Sequence, residues 1–103
     1  MVYRVLLTEM AEMDLDEAMF YYASVNDQFM FNFFNDYCNK IADLTFNPLY
    51  YSFYEEGFRR LRFTKFPYIL IYKVDHTQNI VIVHSITYGG RDPEVIHHKI
   101  IEQ

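Results

Sequence analysis

The chain has 103 residues, 51% of them hydrophobic and 22% charged, and a formal net charge of −5 at pH 7. That length suits one domain, residues 1–103, with a single core, and no apolar run approaches the roughly 20 residues that a membrane span needs. Net acidity argues against non-specific nucleic-acid binding by charge alone, and one cysteine excludes an internal disulfide framework and suits a reducing, cytoplasmic setting.

The opening MVYRVLLTEM has too short an apolar stretch for a leader or an anchor. Residues 3–7 read as a strand, followed by Thr8 as the N-cap of a first helix. Glu9 and Glu12 suit the positive end of that helix. Ala11, Leu15, Ala18 and Tyr22 recur at helical spacing and form its apolar stripe. Asp14, Asp16 and Glu17 are assigned to the opposite, solvated face, a reading favoured over a catalytic carboxylate pair. The pattern breaks at 24–27, and a second helix runs from about Asp27 to Thr45. Met30, Phe33 or Phe34, Tyr37, Ile41 and Leu44 make its stripe, with Cys38 as a small buried hydrophobe. Asn47-Pro48 ends it, because a residue before proline is driven out of the helical region. Two antiparallel helices joined by a short turn form a hairpin able to cover one face of a sheet, leaving the other face open.

Residues 49–54, LYYSFY, read as an aromatic loop. Beyond them, 58–63, 68–74 and 80–87 are rich in β-branched and aromatic residues and are separated by Phe66-Pro67 and by the polar run 75–79. Connections this short make the three strands an antiparallel meander. Phe58, Arg60 and Arg62 alternate to one face of the first strand, and Arg59, Leu61 and Phe63 to the other. Residues 57–103 carry seven basic and four acidic residues, whereas 1–56 carry two basic and ten acidic. Positive charge is thus gathered on the sheet, where it permits an anionic ligand or pairs with the acidic helices. Gly89-Gly90 allows a sharp turn or positive φ. Asp92 with Pro93 then starts a short helix over 93–101, with Val95, Ile96 and Ile100 inward. Leu15, Ile41, Leu61, Ile71 and Ile82 are the expected core of an α+β fold, an N-terminal strand and helical hairpin packed on a four-stranded, mostly antiparallel sheet.

Ten Phe and ten Tyr are many for this length. Phe29, Phe31, Phe33 and Phe34 cannot all face inward on one helix, so part of the aromatic surface is expected to serve a protein partner. His84, inside an apolar run, reads as a packed histidine. His97-His98 makes a poor metal pair because adjacent helical side chains diverge by about 100°. Neither a metal nor a cofactor is expected.

Three strings, Gly57-Phe58-Arg59-Arg60-Leu61, Phe66-Pro67-Tyr68-Ile69-Leu70-Ile71-Tyr72 and Tyr88-Gly89-Gly90-Arg91-Asp92-Pro93, stand in an order that resembles the RelE/ParE superfamily. So do the first-helix pattern Ala11, Asp14-Leu15, Ala18, Tyr21-Tyr22 and the Asn47-Pro48 stop. These are bacterial toxins of type II toxin–antitoxin systems, associated with growth inhibition and plasmid stabilisation. The resemblance implies a small α+β toxin neutralised by a cognate antitoxin whose C-terminal segment wraps over it, as a homodimer or a hetero-oligomer with that antitoxin. Arg59, Tyr51, Phe53 and Tyr54 are the candidate partner-binding residues.

The superfamily divides by target. RelE-like members cleave mRNA on the ribosome, which requires a base, cations for phosphorane charge and a proton donor. Arg60, Arg62, Tyr88 and Arg91 are the candidate catalytic residues of that reading. The resemblance places Ile69 where an arginine is usual, Ile96 where a tyrosine aligns, and Tyr88 where many relatives have histidine. Arginine is too weak an acid to release a proton readily and serve as the base. ParE-like members act on DNA gyrase and lack the nuclease set, so the residues favour that branch. RelE-like cleavage, and a degenerate member that only binds its antitoxin, remain the alternatives.

Overall fold

A computed structural model describes residues 1–103. The chain runs β1 (Arg4–Leu7), α1 (Glu9–Val25), α2 (Asp27–Phe46), β2 (Phe53–Glu55), β3 (Phe58–Arg62), β4 (Tyr68–Asp75), β5 (Ile80–Tyr88) and α3 (Pro93–Ile101). Local chemistry sets these boundaries. The Thr8 hydroxyl accepts the Ala11 N–H at 3.1 Å and caps α1. Asn26 serves both helices: its N–H donates to the Tyr22 carbonyl, and its side chain accepts the Gln28 N–H at 2.7 Å. A single extended residue therefore suffices to reverse the chain into a hairpin. Asp92 caps α3 by accepting the Glu94 N–H, with Pro93 in the first turn where no donor is needed.

The sheet has five strands in the order β1-β5-β4-β3-β2. All neighbours are antiparallel except β1 and β5, which are parallel. The fifth strand is β2, which arises from the segment assigned to a loop. Gly57, at φ +76, turns β2 into β3. Three residues are too short a run to show alternation, so β2 carried no strand signal of its own.

The two faces of the sheet hold separate cores. The helical hairpin covers Leu61, Phe63, Leu70, Tyr72, Val81, Val83 and Ile86 with Ala11, Ala18, Phe33 and Leu44. The opposite face, expected to be open, is covered by α3, whose Ile96 and Ile100 pack on Phe58, Ile69 and Ile71. Leu61 and Ile71 are both buried, as expected, but in different cores. Leu15 and Ile41 are partly buried at the margin of the first core. Ile82 belongs to neither core: it pairs with Leu6 and Lys73, both exposed, on a part of the sheet without helical cover.

Three further side chains depart from expectation. Cys38 is exposed, and Val95 is exposed while Ile96 and Ile100, four apart, make the inward ridge of α3. Of the four phenylalanines early in α2 only Phe33 is buried. It stacks on Phe63 at 5.2 Å and on Tyr22 at 5.2 Å, between sheet and α1. A bulge at His84 sets the register of β5: Ile71 faces Ser85, yet Tyr72 faces Val83. Val83 and Ile86, three apart, therefore both meet the hairpin.

Candidate functional site

The sequence-derived arginines lie on two faces. Arg59 points toward the hairpin side, where it donates to the Tyr51 carbonyl at 2.6 Å and lies 4.0 Å from the centre of the Phe53 ring. It holds the 49–53 segment against β3, so its first task is to shape the aromatic loop. Arg60 and Arg62 stand on the α3 face, opposite Ile71 and Ile69. Arg60 approaches the Tyr54 ring at 5.9 Å and Arg62 is exposed, and neither forms an ion pair with the acidic helices.

Tyr51, Phe53 and Tyr54 do not share one face: Tyr51 and Phe53 lie on the hairpin side with Arg59, and Tyr54 lies on the α3 side with Arg60. The Phe53 ring is largely exposed beneath Arg59, Tyr51 is half-buried against Tyr50, and Tyr54 packs at the edge of the second core. Burial raises the phenol pKa of Tyr51, helped by Asp43, and that of Tyr54, helped by Glu55 and opposed by Arg60. Both phenols stay neutral across physiological pH and offer O–H donors.

Tyr88 and Arg91 lie elsewhere, at the far end of the meander. They line a cavity of about 400 Å³ between α1, the start of β4 and the end of β5, together with Glu17, Tyr21, Tyr22 and Tyr68. Tyr68 pairs directly across the sheet with Tyr88. Burial raises the Tyr68 phenol, Glu17 raises it further, and Arg91 pulls it back. Glu17 and Arg91, neither in an ion pair, thus bracket one neutral hydroxyl. Neither glycine after Tyr88 has positive φ. A Cβ at Gly90 would meet the Tyr88 ring at 2.6 Å, so the glycine lets that exposed ring lie close over the turn. The four candidate catalytic residues therefore divide into Arg60 with Arg62, on the α3 face of β3, and Tyr88 with Arg91, which share a cavity.

The cavity wall contains a feature assigned wrongly from the sequence. Asp14 is not on a solvated face. One carboxylate oxygen meets the Lys99 ammonium at 2.6 Å; the other accepts from the Ser85 hydroxyl at 3.1 Å and the Ile86 N–H at 3.0 Å. β1 ends opposite Val83, so Ile86 offers a free strand edge that Asp14 satisfies. Asp14 on α1 and Lys99 on α3 thereby join the two layers around the edge of β5. Spacing could have found it: Asp14 lies three residues after Ala11 and four before Ala18, on the inward stripe.

His84 is packed edge-on against Phe58 at 5.2 Å, and its Nδ1 is buried with no partner. Burial lowers its pKa and Lys73 lowers it further, so it is neutral and lies in the second core's margin. His97 and His98 turn to different carboxylates, Glu55 and Glu102. No group of three or more His, Cys, Asp or Glu side chains gathers to hold a metal.

The five-stranded sheet with a helical hairpin on one face and a short C-terminal helix on the other is a fold shared with solved chains of ParDE and RelE–RelB systems. No family model and no curated protein matches the sequence. Solved structures match in fold. A chain of the chromosomal ParDE toxin–antitoxin system from P. aeruginosa aligns at TM-score 0.72 and 15% identity, over 84% of this chain and 96% of that one. An arginine double mutant of the toxin RelE from E. coli, in the free state, aligns at TM-score 0.65 and 14% identity, over 99% and 97%. The archaeal RelE–RelB complex from Pyrococcus horikoshii OT3 contributes a chain at TM-score 0.57 and 15% identity, over 89% and 100%. At these identities the likeness is one of fold.

Proposed function

We propose that this chain is the toxin of a type II toxin–antitoxin pair, of the ParE-like branch, neutralised by a cognate antitoxin and acting on DNA gyrase. One observation carries the choice of branch. Ile69 and Ile96, standing where the nuclease reading calls for an arginine and a tyrosine, are packed against each other's neighbours in the second core beneath α3. A buried apolar pair cannot supply a cation or a proton donor, and charging either position without a partner would cost several kcal/mol. Arg60 and Arg62 have no general base placed beside them: His84 on that face packs edge-on against Phe58 with its Nδ1 buried and lines a pocket that includes neither arginine, and Tyr88 and Arg91 belong to a different cavity.

We assign the antitoxin to the surface that Arg59 braces, where exposed Phe53 and half-buried Tyr51 present apolar area with polar rims, and which continues around the β2 edge to Tyr54. A disordered segment folding there buries apolar surface and gives a negative heat-capacity change on titration. The fold likeness to chains of ParDE and RelE–RelB assemblies supports a protein partner of this kind.

The discriminating experiment uses programmed ribosomes. Wild-type protein is expected to leave A-site mRNA uncut. Cleavage by the wild type that drops about a hundredfold in Arg60→Ala, the loss of about 3 kcal/mol expected for a phosphorane-stabilising cation, would establish the RelE-like reading instead.

A further inference from the structure

α2 presents an apolar ridge on the side away from the sheet. Phe34, Cys38, Ala42 and Phe46 follow one another at intervals of four, and all four are exposed. Intervals of four define one of the two natural ridges of a helix surface, inclined to its axis. The order of sizes along it, large, small, small, large, reads the same in both directions. Its midpoint falls between Cys38 and Ala42. Such a ridge is self-complementary about a two-fold axis through that midpoint. The small side chains of two copies then allow close approach at the crossing, while Phe34 of each copy meets Phe46 of the other.

Charge supports the same reading. Among the exposed residues of α2 only Asp27, at the very start, is ionised; Asn32, Asn35 and Asn39 flank the ridge. Of the other charged residues of α2, Asp36 and Lys40 are buried toward the sheet as an ion pair at 3.3 Å, and Asp43 is half-buried and turned to Tyr51. The neighbouring helix contrasts sharply, since Glu9, Glu12, Asp16 and Glu17 are all exposed on α1. Interface centres are depleted of charge and enriched in aromatic side chains, and of the two hairpin helices only α2 has that composition.

We infer that the α2 ridge is a dimerisation surface for a second copy of this chain, separate from the loop and sheet surface assigned to the antitoxin. The area sets the size class. Phe31, Phe34 and Phe46 are 55%, 41% and 60% exposed, which at roughly 200 Å² per ring amounts to about 300 Å². Cys38, Ala42 and the two nearest asparagines raise this to about 500 Å² per copy, so the pair buries about 1,000 Å², the lower bound for a specific interface. The dimer therefore belongs to the small end of specific interfaces.

Sedimentation equilibrium of the isolated wild-type chain, from a few to several hundred micromolar, reads this directly. The expected result is a monomer–dimer equilibrium, with a short bis-maleimide linking Cys38 to Cys38 in proportion to the dimer. Ala42→Lys keeps a good helix former at an exposed site and is expected to weaken association at least tenfold with an unchanged circular dichroism spectrum. Phe34→Glu, a second route to the same ridge, is expected to do likewise. A monomer throughout the concentration range overturns the inference. So does a dimer that persists in both variants, or one in which Cys38 does not cross-link, because each places the contact on another face. Monomeric wild type that buries Cys38 only when antitoxin is added also overturns it, by assigning the ridge to that partner.

Discussion

Asp14→Ala should be among the most destabilising single substitutions at any polar residue of this protein. The Asp14 and Lys99 side chains are 10% and 14% exposed, so the pair is shielded from solvent, and the contact is 2.6 Å. Removing the carboxylate strands the Lys99 ammonium and leaves the Ile86 N–H and the Ser85 hydroxyl without their acceptor. Breaking a buried pair from one side costs about 3–5 kcal/mol, and an orphaned N–H about 1–3. Water admitted through the adjoining cavity offsets part of this, so the expected loss is about 3 kcal/mol. With an m-value of about 2 kcal/mol per molar urea for a chain of this size, the unfolding midpoint falls by about 1.5 M. Lys99→Met should cost less, since Asp14 keeps both other donors. A double-mutant cycle then isolates the ion pair. A midpoint within about 0.3 M of wild type for Asp14→Ala would refute the view that this carboxylate joins α1, β5 and α3.

Four other outcomes are expected. Gly57→Ala forces a Cβ into the left-handed region at φ +76 and should cost about 1 kcal/mol in the same urea assay. Tyr72→Phe removes the hydroxyl that donates to the Pro48 carbonyl at 2.6 Å in the first core and should cost about 1–2 kcal/mol. Burial also raises the Tyr72 phenol, so ultraviolet titration should find one tyrosine absent in that variant that resists ionisation long after the others. The lowered pKa of His84 favours the neutral form in the folded state. Its stabilising contribution is therefore present above the unfolded value of 6.5 and is lost as pH falls below it; a His84→Phe variant should show a shallower loss of stability on acidification.

Most of the fold was legible in the sequence because its signals are local. Thr8, Asn47-Pro48 and Asp92-Pro93 mark helix ends by chemistry that acts within three residues. The meander declares itself by β-branched runs between turn residues. What was not legible depends on long-range placement. β2 exists only because β3 offers it an edge, and Arg59 clasps it there. The helix α3 was read correctly, yet nothing in its nine residues says which surface Ile96 and Ile100 will cover. Reading Ile69 as a mere gap in a catalytic set overlooked its partnership with them. Cys38 was placed inside on its residue type alone, although its position four after Phe34 sets it on the outer ridge. At the site, Arg60 and Arg62 were given one face and Tyr88 with Arg91 the far end of the meander, but the cavity that Tyr88 and Arg91 share with Tyr68 and α1 required the register of β4 on β5.

DNA gyrase itself supplies the most direct test of the toxin assignment. Purified protein, titrated into a gyrase supercoiling reaction on relaxed plasmid, is expected to block supercoiling, and prior addition of the antitoxin encoded beside it should restore activity. Undiminished supercoiling at a large molar excess of folded protein would contradict the account.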